Sequence, residues 1–224
     1  MGERIGIEST DGFEFGAYRA APAGEPRGAV VVLQEIFGVN SHIRAVADGY
    51  AAEGYLALAP QIFDRVAPDI ELGYGEQDLE RGVEIAFQKL DHAAALADIG
   101  ATVEAAAAPG LRVGVVGYCF GGLLAWRAAC GLDGVAAAVC YYGGGIVRER
   151  ERQARCPVMM HFGERDAHIP LEDVEAIREA QPGASVYVYP ADHGFNCDQR
   201  GSFDAGSAAL ARSRTLEFFA SELG

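Results

Sequence analysis

The sequence predicts a single α/β domain over residues 1–224, a mostly parallel, doubly wound sheet that begins with an antiparallel hairpin. Three observations carry this expectation. Two short segments, 4–8 and 13–19, flank the turn Thr10-Asp11-Gly12 in the pattern of a hairpin. From residue 28 onward, continuous apolar runs alternate with longer helical stretches, as strands do when crossover helices cover both faces of their sheet. No Pro/Ser-rich linker, repeat or low-complexity block divides the chain.

The elements follow in order. A strand over 28–34 leads to a helix over 41–53 and a strand over 55–59. The stretch 76–108 is helical, alanine-rich toward its end, with Gly100 as the candidate point of division. Next come a strand over 111–117, a helix over 120–131, and strands over 135–141 and 157–161. Ile169-Pro170-Leu171 opens a helix to residue 180, because proline suits a first helical turn. A strand over 185–189 and a terminal helix over 204–222 complete the chain. In open sheets of this kind a ligand site lies at the carboxyl ends of the strands.

Composition narrows the partners. Half of the residues are hydrophobic, enough for a buried core, and the formal net charge of −14 argues against nucleic acid or an anionic membrane. The arginines between Arg148 and Arg155 are interrupted by Glu149 and Glu151, the pattern of a solvated segment. MGERIGIEST lacks the features of a signal peptide, and no apolar stretch reaches the roughly 18 residues that span a bilayer. A cytoplasmic, soluble protein with a small-molecule substrate, monomeric or homodimeric, is the expectation.

Five cysteines (Cys119, Cys130, Cys140, Cys156 and Cys197) form no C-x-x-C pair, and no H-x-x-x-H or H-E-x-x-H spacing occurs, so neither a metal nor another cofactor is expected. His161 lies in an apolar strand as a core histidine would, His42 and His92 read as surface positions on helices, and His168 shares a loop with Asp166.

The strand ends carry Gln34-Glu35-Ile36-Phe37-Gly38, Gly117-Tyr118-Cys119-Phe120-Gly121-Gly122, Tyr141-Tyr142-Gly143, Gly163-Glu164-Arg165-Asp166 and Asp192-His193-Gly194. The second is G-x-C-x-G between a strand and a helix, the context of a nucleophile elbow. Such a turn sets Cys119 beside the free amides of a helix N-terminus, where thiolate is favoured. Read alone, the pattern is short and Cys119 could be one more buried cysteine. Asp166 and His193, each following a later strand, add the chain order nucleophile, acid, histidine of the α/β-hydrolase fold.

Together these motifs, with Gln-Glu-Ile-Phe-Gly-Val-Asn at 34–40 and Asp-His-Gly-Phe at 192–195, resemble the dienelactone hydrolase family from about residue 28 to the C-terminus. The resemblance implies Cys119 as nucleophile, His193 as base, Asp166 as the acid that orients it, and Glu35 as a carboxylate contacting the resting thiol. The backbone amides of Ile36 and Phe120 are the positions for an oxyanion hole. Family members that open a carboxylate-bearing lactone hold it with two arginines. Arg65 matches the first; the second position is Cys197, and Gly194 stands where those enzymes have serine. Arg200 is a candidate replacement, and Tyr142 either donates to substrate or packs beneath the elbow.

The implied function is a cysteine-dependent hydrolase opening a small lactone or ester through an acyl-thioester. Two alternatives remain: a thioesterase, amidase or acyltransferase on the same triad, and a redox-sensing or binding protein in which Cys197 resolves an oxidised Cys119.

Overall fold

A computed structural model describes residues 2–107 and 110–224 of the chain. Eight strands form one sheet: β1 (Glu3–Glu8), β2 (Glu14–Ala20), β3 (Ala29–Leu33), β4 (Leu56–Pro60), β5 (Val113–Tyr118), β6 (Val135–Tyr141), β7 (Val158–Gly163) and β8 (Ser185–Tyr189), in the order β1-β2-β4-β3-β5-β6-β7-β8. β1 pairs antiparallel with β2 and β2 antiparallel with β4; every later pairing is parallel. Six helices accompany them: α1 (Ser41–Ala52), α2 (Glu76–Glu84), α3 (His92–Ala107), α4 (Phe120–Gly131), α5 (Leu171–Ala180) and α6 (Ala205–Leu223).

The central strands β3, β4 and β5 are buried at every position, so their sequences carry apolar side chains on both faces. From β3 the chain steps through α1 to β4 on one side, then returns past β3 through α3 to β5. Right-handed crossovers in opposite directions put α1 and α3 on opposite faces. α4 continues on the α3 side, while α6 joins α1, where Arg212 donates to the Gly49 carbonyl at 3.0 Å. The reversal of direction between β3 and β5 opens a crevice at their carboxyl ends.

The long helical stretch divides ten residues before the expected place. Gly100 lies inside α3, and the break falls at Leu90, whose backbone is extended (φ −74°, ψ 127°) after one π-helical turn over Ile85–Lys89. Asp91 then caps α3, its carboxylate accepting from the amides of Ala93 (2.8 Å) and Ala94 (3.2 Å). A glycine inside a helix costs only about 1 kcal/mol, which packing absorbs; a capping carboxylate meets amides that would otherwise go unpaired. Ala108, the expected end of this stretch, lies outside the described residues. β7 runs two residues beyond its expected end, to Gly163.

Two histidines expected at the surface are packed instead. His42 is 2% exposed, its Nδ1 placed 3.3 Å from Asp198 Oδ1 because α1 begins beneath the loop that follows β8. His92 ties the π-helical turn to α4, donating from Nε2 to the Ala86 carbonyl at 2.7 Å and accepting from Arg127 at Nδ1. Among the described residues, no helix is long and apolar enough to cross a membrane.

Where β5 meets α4, backbones touch. A Cβ on Gly117 would lie 1.9 Å from the Gly121 carbonyl oxygen, and one on Gly121 would lie 2.4 Å from that of Leu33. Both clashes are with main chain that cannot swing aside. Gly121→Ala is therefore expected to lower stability by about 3 kcal/mol. Gly144→Ala, whose Cβ meets nothing within 4 Å among the described residues, should leave it unchanged, and urea midpoints of the two variants check the contrast.

Candidate active site

Cys119 occupies the turn between β5 and α4 with φ 55° and ψ −114°, a conformation that costs a non-glycine residue about 1–3 kcal/mol. Three backbone hydrogen bonds hold it there. Its amide donates to the Tyr141 carbonyl at 3.0 Å, and its own carbonyl accepts from Gly122 at 2.9 Å and Leu123 at 3.3 Å. Phe120 opens α4, so its amide is among the first-turn donors that helix geometry leaves free.

Two loops bring acid and imidazole to the sulfur. The loop after β7 is anchored by donation from Glu164 to the Tyr189 carbonyl (2.7 Å) and from Arg165 to that of Ala191 (3.0 Å), which ties it to the loop after β8. The Asp166 side chain is fully buried: Oδ1 accepts from the His168 amide at 2.8 Å and Oδ2 from His193 Nδ1 at 2.7 Å. With Nδ1 held by Asp166, Nε2 is the ring nitrogen left to face Cys119. Burial favours the neutral imidazole. The Coulombic pull of the neighbouring Cys119 sulfur, the hydrogen bond to Asp166, the contact with that sulfur and the Asp166 charge outweigh it, raising His193 from 6.5 to about 10.

Glu35 is wholly buried after β3, but its hydrogen-bond partners among the described residues differ from the expected one. Its carboxylate accepts from Arg200 Nη1 and from the Tyr74 hydroxyl, both at 3.3 Å, and no hydrogen bond joins it to Cys119 among the described residues. Arg200 reaches Glu35 through space that residue 194 leaves open. Gly194 has φ 78°, and a Cβ there would stand 2.5 Å from the Arg200 guanidinium. The glycine at the family's serine position thus goes with an arginine displaced along the loop, a coupling that sequence spacing alone did not display.

The two expected substrate contacts are elsewhere. Arg65 is committed to Asp98, with Nε to Oδ2 at 2.9 Å and Nη2 to Oδ1 at 2.6 Å, and to Asp11, while its guanidinium covers the Phe13 ring. It does not line the cavity that holds Cys119. Tyr142 does not line it either. That side chain is fully buried, with φ 35°, its ring 5.1 Å from His193 and 5.4 Å from Phe195, so it packs beneath the site.

His161 is enclosed within β7 between the Tyr189 and Thr215 hydroxyls, and burial pushes its pKa down to about 3. Cys197 is also buried; desolvation and then the Glu35 charge push its thiol up to about 11, which leaves little thiolate to resolve a partner.

Cys119, His193, Ile36, Phe120 and Arg200 all line one cavity of about 460 Å³. Its outer wall includes Leu79, Val83 and Phe87, partly exposed apolar side chains four residues apart on α2 and the turn after it. Helical spacing could have marked this stripe as an uncovered face. In the sequence these positions fall inside the predicted helical stretch 76–108.

The family model described as "Dienelactone hydrolase family" matches residues 15–223. A Synechocystis protein assigned as a carboxymethylenebutenolidase is 39% identical over 213 residues, 87% of this chain and 86% of that protein. The carboxymethylenebutenolidase of Pseudomonas putida is 34% identical over 228 residues, 97% and 96% of the two chains. Among solved structures, a Klebsiella pneumoniae protein assigned to the dienelactone hydrolases superposes with TM-score 0.87 at 33% identity, covering 98% of each chain.

Two outcomes test this geometry. Arg65→Ala removes the partner of the fully buried Asp98 and is expected to cost about 3 kcal/mol. It should leave KM for esters unchanged, so denaturation and steady-state kinetics together separate an ion pair from a substrate clamp. For His193, a folded-state pKa above the ordinary value means its stabilisation is complete below 6.5 and is lost as pH rises through about 10. The stability gap between the parent protein and His193→Gln should therefore shrink across that window in urea titrations; a gap that widens contradicts the raised pKa.

Proposed function

The chain belongs to the dienelactone hydrolase family and is a hydrolase of the carboxylic ester class, and from that premise we propose that Cys119 is its nucleophile. The substrate is a small lactone or ester, and the intermediate an acyl-thioester. The observation that carries this reading is the continuous chain from the buried Asp166 through His193 to the Cys119 sulfur in the 460 Å³ cavity.

In this reading His193, held by Asp166, takes the Cys119 proton and leaves a thiolate beside an imidazolium. The thiolate attacks the carbonyl carbon, the carbon–sulfur bond forms, and the π pair moves onto oxygen, which the amides of Ile36 and Phe120 stabilise. As the tetrahedral intermediate collapses, the carbon–oxygen bond to the leaving group breaks and His193 delivers its proton to that oxygen. In a lactone the freed oxygen stays tethered, so the acyl-enzyme is the ring-opened hydroxyacid.

Neutral His193 then takes a proton from water, whose oxygen attacks the thioester. Expulsion of the Cys119 thiolate beside protonated His193 restores the resting pair, and the released acid gives its proton to solvent. Asp166 keeps the imidazole in the required tautomer throughout. Arg200 is the guanidinium shared between Glu35 and the cavity, placed to orient a polar substrate group.

With p-nitrophenyl acetate the protein is expected to release a burst of nitrophenol and to carry one acetyl group on Cys119 after acid quench, read by peptide mass spectrometry. Cys119→Ala should abolish both, and His193→Ala should slow turnover by about 10²–10⁴-fold. Undiminished turnover in Cys119→Ala would remove Cys119 as nucleophile.

A further inference from the structure

Beside the proposed catalytic chain, Glu35 meets two buried, chemically capable groups, His42 and Cys197, that the proposed hydrolysis does not use. We propose that Glu35, His42 and Cys197 form a site for one divalent cation of the zinc class. The inference is independent of the role of Cys119.

A carboxylate oxygen of Glu35, a ring nitrogen of His42 and Cys197 Sγ all lie within 4.8 Å of one another, and all three residues are buried. The centre of a triangle no larger than this is within about 2.8 Å of each donor, against zinc bond lengths of ~2.0–2.3 Å, so side-chain shifts below about 1 Å close the site. The second observation concerns His42. Its Nε2 is buried with no hydrogen-bond partner among the described residues, in a side chain only 3% exposed. Its Nδ1 lies 3.3 Å from Asp198 Oδ1, so the ring donates there and Nε2 carries a free lone pair. A carboxylate behind a histidine is the arrangement that orients imidazole toward a metal.

The donor set selects the ion. One thiolate, one imidazole and one carboxylate suit zinc or cobalt(II), whereas magnesium and calcium prefer oxygen throughout. On binding, the Cys197 S–H bond breaks, its proton leaves to solvent, and a sulfur–metal bond forms without redox change. The charges then balance: two on the cation against Glu35 and Cys197, and Arg200 against Asp198. Glu35 keeps its existing contacts, because Oε1 and Oε2 each accept a single hydrogen bond, from Arg200 and Tyr74, and retain a lone pair.

Sequence spacing gives no hint of this set. Its members come from the loop after β3, the first turn of α1 and the loop after β8, which meet only in the folded crevice.

The test is titration of chelator-treated protein with Co²⁺, followed by Zn²⁺. One equivalent of Co²⁺ should produce thiolate-to-cobalt charge-transfer absorption and tetrahedral d–d bands, and Zn²⁺ should abolish them. Cys197→Ser and His42→Gln should each lose the charge-transfer band at one equivalent, and Asp198→Ala should weaken affinity by about 10–100-fold. Cys119→Ala should keep both band and stoichiometry. Near-UV circular dichroism establishes that each variant is folded; should His42→Gln not fold, Cys197→Ser decides. The proposal is overturned if the parent shows no thiolate–cobalt band at one equivalent. It is equally overturned if the band survives in Cys197→Ser and disappears in Cys119→Ala, which would put the metal on the nucleophile. Failure of the ester burst leaves these spectra unaffected, so the two readings fail separately.

Discussion

The site depends on one constraint, the strained backbone of Cys119 at the β5–α4 turn. A positive φ at a residue with a side chain persists only where its surroundings over-determine it. Here the Cys119 amide is drawn to the Tyr141 carbonyl on the neighbouring strand, and α4 starts so close to the sheet that Gly121 lies against the Leu33 carbonyl. Adding side chains at Gly117 or Gly121 would separate helix from sheet. The strain and the close approach are therefore one feature, which lifts the sulfur out of the strand and lays it beside the first amides of α4.

The remaining parts of the site are positioned relative to that turn by the parallel register of the sheet. Tyr118 pairs with Tyr141 and Tyr141 with His161, so the loops after β5, β6 and β7 leave the sheet at similar heights. Asp166 and His193 then meet because the loops after β7 and β8 are cross-linked by backbone hydrogen bonds before either side chain is reached. Tyr142 fills the floor under His193 and limits tilting of the ring. The chain order of Cys119, Asp166 and His193 thus follows strand order across the sheet.

This explains what was legible in the sequence. Strands buried on both faces must be apolar throughout, and the residues proposed for the chemistry sit directly after them, so strand-end position, chain order and the family resemblance together could single out Cys119, Asp166 and His193. The N-terminal hairpin was readable from its turn, and the antiparallel contact of β2 with β4 was not, because no local signal records which edge a hairpin joins. Long-range pairing defeated the reading of individual polar residues in the same way. Nothing near Asp98 in its alanine-rich helix marks it as the partner of Arg65, thirty-three positions earlier. His42 looks like any helical surface histidine until Asp198 and the loop after β8 are laid over it.

The relation between Glu35 and Arg200 bears on which substrates fit. A wholly buried carboxylate needs a counter-charge, and with Arg65 committed to Asp98 the nearest cation is Arg200, admitted by the missing side chain at Gly194. An anionic substrate group approaching Cys119 would have to draw the same guanidinium away from Glu35. The other cavity arginines offer little relief, since Arg127 is bound to Glu149 and Arg148 stands exposed at the rim. A second clamp in the family's usual place would have let Glu35 and a substrate carboxylate each hold a cation. With one arginine shared between them, the proposed reading favours contact with the apolar wall of Leu79, Val83 and Phe87, and neutral esters and lactones that leave the Glu35–Arg200 pair intact.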